Sequence, residues 1–165
     1  MIIMIFGLPG SGKSYFARHL QKEIDAIYFN TDIIRRELNL NGVYNEESKQ
    51  KVYDKLVEEV SGQLDKGFDV IVDGTFHKQK RRESFCGIAR KKSIEIYFIE
   101  IKASERTIRK RIEKKRKDSE ADFEVYRKIK NEFDPFTESH LVLRSDKESI
   151  NDMIIKTKKY IYKSH

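Results

Sequence analysis

Five apolar runs of strand length recur along the chain: IIMIF (2–6), AIYF (26–29), FDVIV (68–72), IEIYFIEI (94–101) and HLVL (140–143). They are rich in Ile, Val, Phe and Tyr and are nearly unbroken. A strand buried on one face alternates apolar and polar side chains. A run without that alternation suits a strand covered on both faces, as in a parallel sheet. Between the runs the spacing changes to that of helices. Phe16, Leu20 and Ile24 form one stripe, and Val52, Leu56, Val60 and Leu64 a second, with Gly67 placed to end that helix. Ile150, Met153, Ile154, Thr157 and Ile161 form a third near the C-terminus. Strands alternating with helices need crossover connections. The expected fold is therefore α/β, a three-layer α/β/α sandwich on a five-stranded parallel sheet with strand 2–6 at its centre. No repeat, linker or low-complexity segment interrupts the pattern, so residues 1–165 read as a single domain.

At 165 residues the chain can bury a core without staples. No apolar stretch approaches the length of a membrane span. MIIMIF has neither the basic flank nor the cleavage site of a signal peptide. The single cysteine, Cys86, allows no internal disulfide or zinc cluster and reads as an ordinary thiol, which makes a reducing cytoplasm the expected location. Nothing in the pattern specifies an oligomeric state. The net charge of +7 is concentrated: residues 102–117 hold nine Lys/Arg against Glu105 and Glu113, an excess equal to that of the whole chain. A second basic cluster, HKQKRRE, lies at 77–83. Such clusters are either solvated faces or surfaces that meet polyanions, and charge by itself does not separate the two.

Directly behind the first strand run, GLPGSGKS (7–14) matches G-x-x-x-x-G-K-[ST]. The loop comprises Gly7, Pro9, Gly10, Ser11, Gly12, Lys13 and Ser14. Its glycines let successive backbone N–H groups converge on phosphate oxygens at the positive end of the following helix. Lys13 is placed to reach the β- and γ-phosphates, and the Ser14 hydroxyl to ligate Mg²⁺. The position between a strand and an amphipathic helix is the context that a phosphate loop requires. No guanine-reading [NT]-K-x-D follows, which favours ATP over GTP.

Two further stretches lie past strand ends, where ligands of parallel sheets gather. NTDIIRREL (30–38) places Asp32 to orient a hydroxyl and take its proton, with Arg35 one turn on to hold an anion. Thr31 or Asp32 could instead cap the helix. VIVDGTF (70–76) ends an apolar run in Asp73, a Walker B arrangement that sets a carboxylate near Mg²⁺ or the acceptor.

GLPGSGKS, NTDIIRREL, VIVDGTF and RKDSEADFEVY (116–126) together resemble the small P-loop kinases of the zeta-toxin and polynucleotide-kinase group, the AAA-type ATP-binding proteins. The likeness implies ATP and Mg²⁺ as cofactors and transfer of the γ-phosphoryl group to a hydroxyl. It also implies Asp32 as general base, Arg35 on the acceptor or its phosphate, and Asp73 at the Mg²⁺ or acceptor site. A lid over roughly 110–125 would bring Arg116 and Arg111 onto the γ-phosphate. Acceptors in this reading are small molecules or the 5′ end of a nucleic acid. Few aromatics interleave with the basic clusters, which favours a small acceptor. An ATP-binding switch with slow hydrolysis is a reading of another class.

Overall fold

The structure is a computed structural model that describes residues 1–114 and 123–162. Five parallel strands form one sheet: β1 (Ile2–Phe6), β2 (Ala26–Asn30), β3 (Asp69–Asp73), β4 (Ile96–Lys102) and β5 (Leu141–Arg144), in the order β2-β3-β1-β4-β5. The first strand is central, as its wholly apolar sequence requires; every residue of it is buried. The helices are α1 (Lys13–Glu23), α2 (Thr31–Glu37), α3 (Glu46–Asp65), α4 (Gln79–Lys92), α5 (Glu105–Lys114), α6 (Phe123–Asn131) and α7 (Ile150–Tyr162).

Successive residues of β1 feed different layers. Ile2, Met4 and Phe6 pack with Val52, Leu56 and Val60 of α3 and Phe85 and Ala89 of α4. Ile3 and Ile5 pack with Phe16, Ala17 and Leu20 of α1 and Met153, Ile154 and Ile161 of α7. Each apolar stripe predicted from helical spacing therefore lies against one face of the sheet. The strand predicted from residue 94 begins two residues later. Ser93 closes α4 in the left-handed region, and the Ile94 amide is spent on the Ala89 carbonyl.

Gly67 ends α3 as its position suggests. Its φ is 85°, its amide donates to Leu64 O at 3.0 Å, and the Phe68 amide donates to Gln63 O at 3.1 Å. That pair of bonds is a Schellman motif, which needs a left-handed residue after the helix. A Cβ on Gly67 or on Gly62, inside α3, would meet nothing within 4 Å. The two glycines therefore differ in backbone geometry and not in available space. Gly67→Ala should destabilise the fold by roughly 1–2 kcal/mol through left-handed strain. Gly62→Ala should stabilise it by about 0.5–1 kcal/mol through helix propensity. Urea unfolding of both variants checks the opposite signs.

Candidate active site

The carboxyl ends of β1, β2 and β3 bring the three sequence stretches together. Gly7, Gly10 and Gly12 all have positive φ, at 145°, 77° and 99°. The turn that wraps the loop over α1 is thus open to glycine and strained for anything larger. Gly7 has a second constraint: a Cβ there would lie 2.4 Å from the Ile101 carbonyl oxygen of β4. Side-chain oxygens reach amides at the N-termini of five other helices: Asn30 at α2, Asn45 at α3, Asp134 at α4, Ser104 at α5 and Ser149 at α7. By contrast, α1 starts on Gly12, which has no side chain to cap it, and has no acid in its first turn. Its partial positive charge is left to an incoming anion. Lys13 folds back to donate to the Leu8 carbonyl at 2.9 Å, spanning the loop.

One flank of the loop is an organised polar cluster. Asp73 is fully buried at the end of β3 and pairs in register with Asn30 at the end of β2. Its Oδ2 accepts from the Tyr28 hydroxyl and from the Asn30 amide, each at 2.7 Å. The same amide lies 3.3 Å from the Ser14 hydroxyl. Burial and the adjacent carboxylate push the Tyr28 phenol well above its ordinary pKa, so it stays protonated and donating. The other carboxylate oxygen, Asp73 Oδ1, is buried without a partner. A buried carboxylate oxygen left unpaired is costly, and a cation or its water would satisfy it. Ser14 and Asp73 therefore suit Mg²⁺ held mainly by phosphate oxygens and water, the usual arrangement for that ion. No cluster of three or more His, Cys, Asp or Glu suited to a metal occurs among the described residues.

The cap of α2 falls on neither candidate residue. Asn30 provides it, its Oδ1 accepting from the amides of Asp32 at 2.8 Å and Ile33 at 3.3 Å. Asn30 is extended, at φ −135° and ψ 134°, the geometry an N-cap needs. The Asp32 carboxylate is thus released from capping. It is exposed and makes no ion pair among the described residues. Through its two ends, Asn30 ties the start of α2 to Ser14 and Asp73. Gly74 completes the junction, since a Cβ there would lie 2.8 Å from Thr31 Cγ2. Phe76, in the left-handed region at φ 47°, turns its buried ring onto Tyr53 and Phe85.

The opposite flank is held by Arg111. Its guanidinium donates to Gly10 O at 3.1 Å, Ser145 Oγ at 2.9 Å and Ser145 O at 3.3 Å. The side chain thus braces the loop against the turn after β5. Asp146 in that turn accepts from the Ser104 amide, which holds its carboxyl down at about 2. Arg35 is nearly buried, donates to the Val43 carbonyl and stacks on Tyr44 with its Cζ 4.4 Å from the ring centre. Arg116 and the middle of the expected lid lie outside the described residues. The second basic cluster is largely turned inward. Arg81 and Arg82 are both buried, and Lys78 bonds the Glu132 carbonyl. Tyr28, Tyr53 and Asn30 were not singled out by motif. The signal for Asn30 was its place at the last position of a strand directly ahead of a helix.

Residues 2–136 match the family model described as an AAA domain, AAA_33. The chain belongs to the AAA_33 family of P-loop kinases. A curated relative, the L-seryl-tRNA(Sec) kinase of Methanococcus maripaludis, is 31% identical over 108 residues, which cover 62% of this chain and 41% of the relative. The chain thus matches about two fifths of the length of that curated relative. Among solved structures, a sugar kinase from Janibacter sp. HTCC2649 superimposes with a TM-score of 0.76 at 15% identity, over 97% of this chain and 93% of that one. A gluconokinase from Sinorhizobium meliloti 1021 does so with a TM-score of 0.70 at 13% identity, over 99% and 97%. At such identities the superpositions show the fold, and they agree with the AAA_33 assignment over nearly the whole length.

If Asp73 serves the cation, Asp73→Asn should keep the fold, because its amide oxygen can still accept from Tyr28 or Asn30. It should abolish the gain in nucleotide affinity that Mg²⁺ confers. Titration of a non-hydrolysable ATP analogue with and without Mg²⁺, on wild type and variant, measures that difference.

Proposed function

We propose that this AAA_33 domain is an ATP- and Mg²⁺-dependent phosphotransferase that moves the γ-phosphoryl group to a hydroxyl on a small-molecule acceptor. The observation that carries the reading is the junction at Asn30. One short side chain joins the Ser14 hydroxyl, the buried Asp73 and the helix that presents Asp32. The backbone that carries Asp32 is thereby tied to Ser14 and Asp73, which supports a reading in which the loop, a cation and a base act together, since catalysis of phosphoryl transfer is mainly positioning and charge stabilisation.

In this mechanism the amides of the loop and Lys13 hold the β- and γ-phosphates. Bound Mg²⁺ would neutralise charge on the phosphate oxygens, with Ser14 and Asp73 on its side of the loop. Asp32 takes the proton of the acceptor hydroxyl as that oxygen bonds the γ-phosphorus and the bond to the bridging oxygen breaks. ADP and the phosphate ester leave. Arg111 keeps the loop in shape from the opposite flank, and Arg116 of the lid is assigned to the developing charge on the transferred group.

A second reading, a hydroxyl carried on RNA or at a polynucleotide 5′ end, is favoured by the relative named as a seryl-tRNA kinase. Against it stands the inward orientation of Arg81 and Arg82, which withdraws two charges of the 77–83 cluster from any backbone-tracking surface.

Transfer of labelled phosphate from Mg·ATP should be assayed on sugars, nucleosides, aminoglycosides and a 5′-hydroxyl oligonucleotide. Asp32→Asn should lower transfer by about 10²–10⁴-fold, the range expected for loss of a general base, with ATP affinity retained. Lys13→Ala should lose both. ATP hydrolysis that is indifferent to Asp32→Asn, with no labelled acceptor, would point to the switch reading instead.

A further inference from the structure

The turn that follows β5 lies outside every motif stretch of the sequence, yet the side chain of its Ser145 reaches the backbone of the phosphate loop. A serine hydroxyl has one proton to give. Ser145 donates to Ser11 O at 2.5 Å, while Lys102 O, 3.4 Å from the hydroxyl, already accepts from the Ser145 amide at 2.9 Å. The short bond to the loop therefore takes the proton. On its acceptor side the same oxygen receives the Arg111 guanidinium at 2.9 Å, and that guanidinium also donates to Gly10 O at 3.1 Å. A hydroxyl that accepts from a cation is polarised and donates more strongly. Two consecutive loop carbonyls, those of Gly10 and Ser11, are thus drawn to one side.

The turn is anchored well enough to hold them. Asp146 accepts from the Ser104 amide at 2.8 Å, at the start of α5, and Glu148 accepts from the Arg144 amide at 2.5 Å. The Ser145 amide adds its bond to the end of β4. Gly12 leaves room for the approach, since a Cβ there would lie 3.2 Å from Ser145 Oγ and 3.3 Å from Ser145 Cβ.

Peptide geometry dictates the consequence. The described residues contain no cis peptide bond, and in a trans unit the carbonyl and the following N–H point in opposite directions. With Ser11 O held by Ser145, the Gly12 N–H points away from the turn. That N–H belongs to the residue that opens α1, whose amino end lacks a side-chain cap. The Ser11 amide is set separately, by donating to Leu8 O at 3.2 Å. We propose that Ser145 is a positioning residue of the phosphate loop: its hydroxyl, backed by Arg111, fixes the Ser11–Gly12 peptide so that the Gly12 N–H is aimed at a bound phosphate oxygen. Ser145 acts through the loop backbone and needs no contact with the nucleotide. The phosphate rests on the kinase reading above, whereas the direction of the peptide rests on the hydrogen bonds themselves.

The test compares full-length wild type, Ser145→Ala and Ser145→Thr by amide NMR and by binding of two probes, inorganic tripolyphosphate and Mg·AMPPNP. Ser145→Ala keeps the backbone bond to Lys102 and hence the turn. In the unliganded Ala variant the Gly12 amide signal should move further than that of Ser11, which Leu8 holds. Both probes should bind about three- to tenfold more weakly, the loss expected for one hydrogen bond, and by similar factors, because tripolyphosphate offers phosphates alone. Ser145→Thr, which returns the hydroxyl, should recover both readouts. Removing the Arg111 side chain should cost less in Ser145→Ala than in wild type, since the two share one oxygen. An unmoved Gly12 signal, a loss confined to AMPPNP, or equal displacement of Gly12 and Ser11 without recovery by Thr would each overturn the role. Wild type that binds neither probe would count against the kinase reading instead, and the Gly12 signal would still decide the direction of the peptide.

Discussion

A carboxylate sealed from water at the end of a strand beside the central one is the constraint on which the site depends. Asp73 has no access to solvent, and an ionised side chain there must be met by neighbours or by a cation. Tyr28 and Asn30 meet one of its oxygens, and both come from the adjacent strand because β2 runs parallel to β3 with Asn30 opposite Asp73. Meeting Asp73 fixes the Asn30 amide, and its carbonyl oxygen is then free to cap α2. The position of Asp32 follows from that cap. The unmet oxygen is left for what the phosphate loop brings with it. Asn30 thus ties the end of β3 to the end of β2 and to the start of α2.

The loop itself is held from both flanks and above its own backbone. Gly7 lets it pass within contact of the Ile101 carbonyl, and Arg111 ties Gly10 to the turn after β5. The loop is therefore shaped by contacts within the protein, with its helix end lacking a side-chain cap. This reduces the ordering that binding must impose, which is the general advantage of a preorganised site.

Much of this was legible in the residues. Strand positions followed from unbroken apolar runs, because a parallel sheet buries both faces and leaves little choice of period. Helix stripes and the Gly67 terminus followed from spacing and from the left-handed turn that glycine supplies. The loop, Asp32 and Asp73 were visible as types at fixed offsets. What could not be read was pairing across strands. Asn30 looked like an ordinary polar residue ahead of a helix, and only the β2–β3 register sets it against Asp73. Arg81 and Arg82 read as surface charge in HKQKRRE, since burial of a guanidinium depends on carbonyls and rings supplied from residues 50–53 and 133–136. Charge counts along a sequence do not reveal which charges face inward.

The central claim is that the loop and Asp73 jointly hold a metal-bound nucleotide. A crystal structure with Mn²⁺ and AMPPNP, located by the anomalous signal of the metal, tests it most directly. The account predicts one strong metal peak ligated by Ser14 Oγ, with Asp73 Oδ1 directed at the ion or at one of its waters and the triphosphate wrapped by residues 7–14. A metal peak remote from both residues, or a triphosphate lying outside the loop, would contradict it.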